Sequence, residues 1–138
     1  MIERTAFVIL SDDLNTSFNG KLNIIGAYTQ DIAITTDPFR ANQLLFVFRV
    51  ETDIDDPLQS LSVEITFPGQ RPVINIIPLP PNPPKTPNRT KQALTFTIPI
   101  VYIDLRPGKI DVKLIHEKGT IDVLAPWIAM VPPQTTSS

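Results

Sequence analysis

Leu61-Ser62-Val63-Glu64-Ile65-Thr66-Phe67 alternates apolar and polar residues without a break. Period two marks a strand with one buried face, because successive side chains on a strand point to opposite sides. The same period returns downstream. Leu94, Phe96, Ile98, Ile100 and Tyr102 are separated by Thr95, Thr97, Pro99 and Val101. Ile110, Val112 and Leu114 alternate with Lys109, Asp111 and Lys113, and Ile121, Val123 and Ala125 follow. Upstream, Leu44, Phe46, Phe48 and Val50 make a heavier face, but Leu45 and Val47 between them are apolar too. That double-sided pattern predicts a strand that is central in its sheet or covered on its outer face. No stretch of about 11 residues carries a convincing helical period.

The punctuation agrees with an all-β chain. Asn19-Gly20 separates a first strand, roughly residues 4–11, from a second, roughly 21–29. Asp37-Pro38 ends a short third, and Asp56-Pro57, Pro68-Gly69, Arg106-Pro107-Gly108 and Lys118-Gly119 mark later turns. Eight or nine strands at this spacing predict an antiparallel β-sandwich of immunoglobulin-like or C2-like character, with a barrel as the alternative. Pro99 has no N–H to give a ladder, so it predicts a bulge or a sheet edge at that point. Fifteen prolines stand in 138 residues, and seven of them lie from Pro72 to Pro87. Residues 78–90 therefore read as a stiff loop inside one domain of residues 1–131, and residues 132–138 read as a disordered tail.

Length and composition bound the rest. The chain is one domain long, and 42% hydrophobic residues with 19% charged residues are enough for a core. With 12 basic and 14 acidic residues, the basic face of a duplex-binding domain has no support, and no nucleic-acid partner is expected. The absence of cysteine removes disulfides and thiolate metal sites, and a single histidine removes multi-histidine sites. No apolar run approaches the ~18 residues of a membrane span. The N-terminal apolar run lies between Glu3 and Asp12-Asp13, which reads as a strand rather than a secretory signal.

Ser11-Asp12-Asp13, closing the first strand, is followed by Gly20-Lys21-Leu22-Asn23-Ile24-Ile25-Gly26-Ala27-Tyr28. A Cys- or Ser-Asp-Asp turn before Gly-Lys-Leu-x-x-x-Gly-x-Tyr resembles an uncharacterised family of small bacterial all-β proteins. The resemblance covers roughly residues 1–60. It implies a bacterial, cytoplasmic β-sandwich of unknown role and transfers no functional residues.

The acidic turn is the most chemical-looking feature. Glu51, Asp53, Asp55 and Asp56 fall close together, and Asp12 and Asp13 end another strand. Calcium takes six to eight oxygen ligands, so Asp12, Asp13, Asp53, Asp55 and Asp56 form a candidate calcium set of C2-like kind. That reading requires the loops after the first and fourth strands to share one end of the fold. The plainer reading is a solvated acidic turn, since Asp and Pro favour turns for local reasons. Asp12 and Asp13 as an acid–base pair are disfavoured, because neighbours on a strand point apart. His116 has no positioned nucleophile near it in sequence, no Gly-x-Ser-x-Gly elbow exists, and a strand-end histidine hydrogen-bonded to backbone suffices. Pro80, Pro81, Pro83 and Pro84 are candidate protein contacts, because a polyproline II segment is already extended and docks at small entropic cost. The plainer reading is a loop packed on its own molecule. Lys85, Arg89 and Lys91 are a short basic stretch, and one Trp with two Tyr gives no sugar-binding platform. The expectation is a non-catalytic binding or assembly module without a cofactor, acting through a protein partner or self-association. The alternative is a calcium-dependent binding module.

Overall fold

The computed structural model describes residues 4–16, 22–27, 31–81 and 88–131, with the backbone alone for 13–16 and 22–27. The Gly20 turn, Pro83, Pro84 and the tail from Pro132 lie outside the described residues. Eleven strands run in the order β1 (Thr5–Thr16), β2 (Leu22–Ala27), β3 (Ile32–Ile34), β4 (Phe39–Asp53), β5 (Leu61–Thr66), β6 (Val73–Ile76), β7 (Lys91–Leu105), β8 (Gly108–Lys109), β9 (Asp111–His116), β10 (Gly119–Val123) and β11 (Trp127–Met130). The described residues contain no helix. One four-stranded sheet has the order β2-β1-β4-β7, the other β10-β9-β5-β6, and β3-β11-β8 form a small third sheet. Among the described residues no sheet closes into a barrel. The expected eight or nine strands are exceeded because β6, β8 and β11, which were not foreseen, are only four, two and four residues long. So few residues cannot establish a period. The antiparallel expectation also has an exception, since β11 pairs with β3 in parallel.

The strictest alternation gave the most regular burial. In β5, Leu61, Val63 and Ile65 are buried while Ser62, Glu64 and Thr66 are part-exposed. Its neighbour β9 buries Val112 and Leu114 directly opposite Ile65 and Val63. The double-sided β4 is central, held by β1 on one side and β7 on the other, and Leu45 and Val47 are buried along with its core face. Both four-stranded sheets feed one cluster of buried side chains. Phe46 of β4 is fully buried; it stacks with Phe48 at 6.3 Å and meets Phe67, just past β5, edge-on at 6.0 Å. Phe96 of β7 stacks on Phe48 at 5.1 Å.

Strands β4 and β7 pair along almost their whole lengths, and Pro99 lies opposite Leu45 with no gain or loss of register. Since β7 is an edge strand, the edge alternative for Pro99 holds: no further described strand waits for its missing donor. The pairing skips one position, Asn42 with Tyr102. There both strands change the face they bury. Before it β7 buries Ile98 and Ile100, after it Ile103 and Leu105; β4 changes from Ala41 to Leu44. Tyr102 takes φ +53°, which turns the strand by one residue. Tyr102 was expected to continue the inward series, and it is instead 71% exposed. The local twist overrides the period there.

Gly108 shows where backbone freedom is required. It takes φ +142°, and a Cβ there would lie 2.9 Å from Pro68 Cγ. Both the conformation and the contact oppose a side chain. Gly108→Ala is expected to cost about 1–3 kcal/mol, read as a lower urea midpoint with an unchanged slope.

Candidate functional site

Two features stand out after the core is accounted for. The first is a buried ion cluster. Arg4 precedes β1, Asp56 lies in the turn after β4, and Glu117 and Lys118 form the turn between β9 and β10. The Arg4 side chain is only 4% exposed. Its Nε donates to Asp56 Oδ2 at 3.1 Å, and its Nη2 donates to Asp56 Oδ1 at 3.1 Å and to the Pro57 carbonyl at 3.2 Å. Nη2 also lies 2.7 Å from Glu117 Oε2, and Nη1 donates to His116 Nδ1 at 2.8 Å. Glu117 Oε1 accepts from the backbone amides of Gln59 and Ser60. Lys118 Nζ pairs with Asp56 Oδ1. A buried charge is tolerated only when it is paired and hydrogen-bonded, and this one is.

The electrostatics follow from the contacts. The Arg4 guanidinium and the two backbone amides hold the Glu117 carboxyl down at about 2, against desolvation. Asp56 is held below the usual carboxylate range by Lys118 first and Arg4 next. Burial, followed by the Arg4 charge, lowers the His116 pKa. His116 Nδ1 accepts from Arg4 and from the Lys118 backbone amide, at 3.2 Å for the latter, so the ring proton sits on Nε2. The strand-end histidine bonded to backbone is what the sequence reading expected. The cluster ties three chain segments together, and its polar atoms are turned on one another.

The structure does not gather the five candidate calcium ligands. Asp12 and Asp13 lie within β1, which runs on to Thr16, rather than ending a strand. Ser11 is opposite Leu45, while Asp53 ends β4 eight positions further along, roughly 26 Å at ~3.3 Å per residue. Strand β1 therefore carries Asp12 and Asp13 at the end of the sheet opposite to the one where β4 carries Asp53. Asp53 pairs with Lys91, and Asp56 is held by Arg4 and Lys118. Asp12 and Asp55 also have interactions of their own. Among the described residues no three or more histidine or acidic side chains form a cage for a metal ion. Pro80 and Pro81 line a cleft of about 240 Å³ with Leu58, Leu79, Arg89 and Leu94, and Leu79 packs against the core.

The second feature is the free edge at β6. Four residues, Val73-Ile74-Asn75-Ile76, are too short to show a period, and the polar one, Asn75, falls on the inward face. The available signal was its enclosure between Pro72 and Pro78. Strand β6 pairs with β5 on one side and with no described strand on the other. Ile74 and Ile76 stand on the outer face, opposite Glu64 and Ser62, and are 64% and 85% exposed. Beside Ile76 runs a shallow groove of about 430 Å³ walled by Ser62, Leu79 and Ile115. Natural sheets usually guard such an edge with charge or cover it. This one presents isoleucine.

A family model matches residues 6–124, from the start of β1 through β10. The chain belongs to DUF6941, a family of unknown function. The match reaches well beyond the first 60 residues on which the sequence resemblance rested. The DUF6941 span takes in β6 and the Asp56, His116, Glu117 and Lys118 part of the ion cluster, and begins just after Arg4. No curated protein matches the chain.

Proposed function

We propose that the chain is a non-catalytic binding or assembly module that works through protein contacts at the β6 edge. The observation that carries this is the exposure of Ile74 and Ile76 on a strand whose second side pairs with no described strand. Open backbone groups supply affinity to an added strand, and flanking side chains supply its selectivity. The commitment of His116 to Arg4 and to the Lys118 amide supports a role without catalysis. We read the two four-stranded sheets as the layers of a β-sandwich, supported by their shared core and by the Phe46–Phe67 contact. The resemblance of the N-terminal third to small bacterial proteins supports a bacterial cytoplasmic setting.

The test is retention of a protein from a lysate of the source cell by two immobilised baits. One is the wild-type chain and the other carries Ile74→Lys with Ile76→Lys. Both side chains are exposed, so the double variant should keep its melting temperature. Retention by the wild type and loss by the variant is expected. Equal retention by both would remove β6 as the contact.

A further inference from the structure

Building on β6 as the association surface, we infer that its occupant is a second copy of this chain, paired antiparallel about a two-fold axis through Asn75. The backbone decides which groups face outward. Ile77 N–H donates to the Leu61 carbonyl at 2.9 Å, and the β5–β6 register continues from there. Residues 73, 75 and 77 therefore aim their backbone groups at β5, because an antiparallel ladder alternates. Residues 74 and 76 aim theirs at the free edge. The next outward positions are Pro72 and Pro78, which have no N–H. The edge thus offers two donors, bounded on both sides by proline.

Around Asn75 the sequence reads nearly the same in both directions: Pro72-Val73-Ile74-Asn75-Ile76-Ile77-Pro78. A two-fold axis through Asn75 sets Ile74 opposite Ile76 of the second copy, twice, and all four outward N–H and C=O pairs close into hydrogen bonds. An axis at Ile74 or Ile76 would instead set an isoleucine edge group against a proline. Proline can accept through its carbonyl but cannot donate, so those registers leave an isoleucine C=O without a donor. Only the Asn75-centred register pairs every outward N–H and C=O of Ile74 and Ile76. An isologous interface needs this kind of self-complementarity.

An independent observation selects the same centre. Asn75 faces inward, opposite the fully buried Val63, and its Nδ2 is buried without a hydrogen-bond partner among the described residues. A buried donor left unpaired is costly, so its missing acceptor calls for a source. At the axis, Asn75 meets its own copy in a non-hydrogen-bonded backbone pair, where side chains approach most closely. Each amide can donate to the other's Oδ1. A single buried Asn–Asn pair is a known way of fixing register between like chains. An edge of four residues covers less than the ~800 Å² per partner of a standard interface, so the dimer should dissociate on dilution.

The chain has no cysteine, which makes a register-specific test clean. At the axis the two Cα atoms should lie about 4.5 Å apart, within disulfide reach. Asn75→Cys should therefore oxidise to a covalent dimer, while Ile74→Cys on the same strand and Thr120→Cys on β10 should remain monomeric under the same conditions. Sedimentation of the wild-type chain over ~1–500 µM should show a monomer passing to a dimer. The dimer should vanish in the Ile74→Lys, Ile76→Lys double variant, which sets lysine opposite lysine. A wild-type chain that stays monomeric throughout overturns self-pairing, and if the bait experiment still depends on Ile74 and Ile76, the edge serves a different protein. A dimer that survives the double variant, or that links through position 120 and not 75, overturns the inference as well.

Discussion

Arg4→Ala is expected to lower the stability of the protein by about 3–5 kcal/mol, the range for removing one partner of a buried ion pair. The loss comes less from the bonds Arg4 makes than from what it leaves behind. Asp56 retains Lys118, but Glu117 is left with backbone amides, its own and those of Gln59 and Ser60, and no cation among the described residues. Arg4→Met should cost nearly as much, because packing is preserved while the charge is not. The pH dependence separates this from a general packing defect. Glu117 is held at about 2 in the folded chain against an ordinary value of 4.5. A carboxyl depressed on folding contributes stability that is fully present above its unfolded pKa. It is lost as pH falls through the window from 4.5 towards 2. The wild type should therefore lose stability steeply over that window, and Arg4→Ala should lose much less there. Parallel pH profiles for the two proteins, measured by urea unfolding, would show that Arg4 is not what holds the Glu117 proton off.

Phe46→Ala is expected to cost about 3–5 kcal/mol through lost burial and the cavity left behind. Phe46 is the ring that touches Phe48 within its own sheet and Phe67 beyond the other. Deleting it removes contacts on both sides of the core, and close-packed interiors collapse only partly around such a gap. Phe46→Leu should recover more than half of the loss. A comparable deletion at Tyr102 provides the contrast, since that ring is largely exposed and makes no part of the core. A urea midpoint for Phe46→Ala within experimental error of the wild type would mean that the two sheets do not share this contact in solution.

Much of the fold was legible because the code of a half-buried strand is local. In β5 and β9 one residue in two meets the core, and period two states this directly. In β4 the apolar residues on both faces correctly marked a central strand. What escaped detection has physical reasons. Tyr102 is apolar in kind and in phase with Ile98 and Ile100, yet a positive φ turns it out. Strands of two to four residues carry no period, which hid β8 and β11. The third sheet exists only because distant segments meet: Ile32 lies beside Ile128, and Gly108 opposite it. The acidic turn was visible, but its meaning was not. Asp56 finds its cation 52 positions away in Arg4 and another 62 positions away in Lys118. No pattern within the turn encodes those partners. The β6 edge was hidden for the opposite reason. Isoleucines on a strand normally signal burial, and here Ile74 and Ile76 meet solvent while the polar Asn75 is turned inward.

Amide hydrogen exchange read at Ile74 and Ile76 tests the β6 edge most directly. In a dilute monomer both amides point to solvent and should exchange at the rate of an unpaired strand, while Val73, Asn75 and Ile77, bonded to β5, are protected. At concentrations where sedimentation shows association, protection should rise at Ile74 and Ile76 above all other positions on the sheet. If both amides still exchange freely in a sample shown to be associated, the protein joins its partner by some other surface, and β6 is only an uncovered edge.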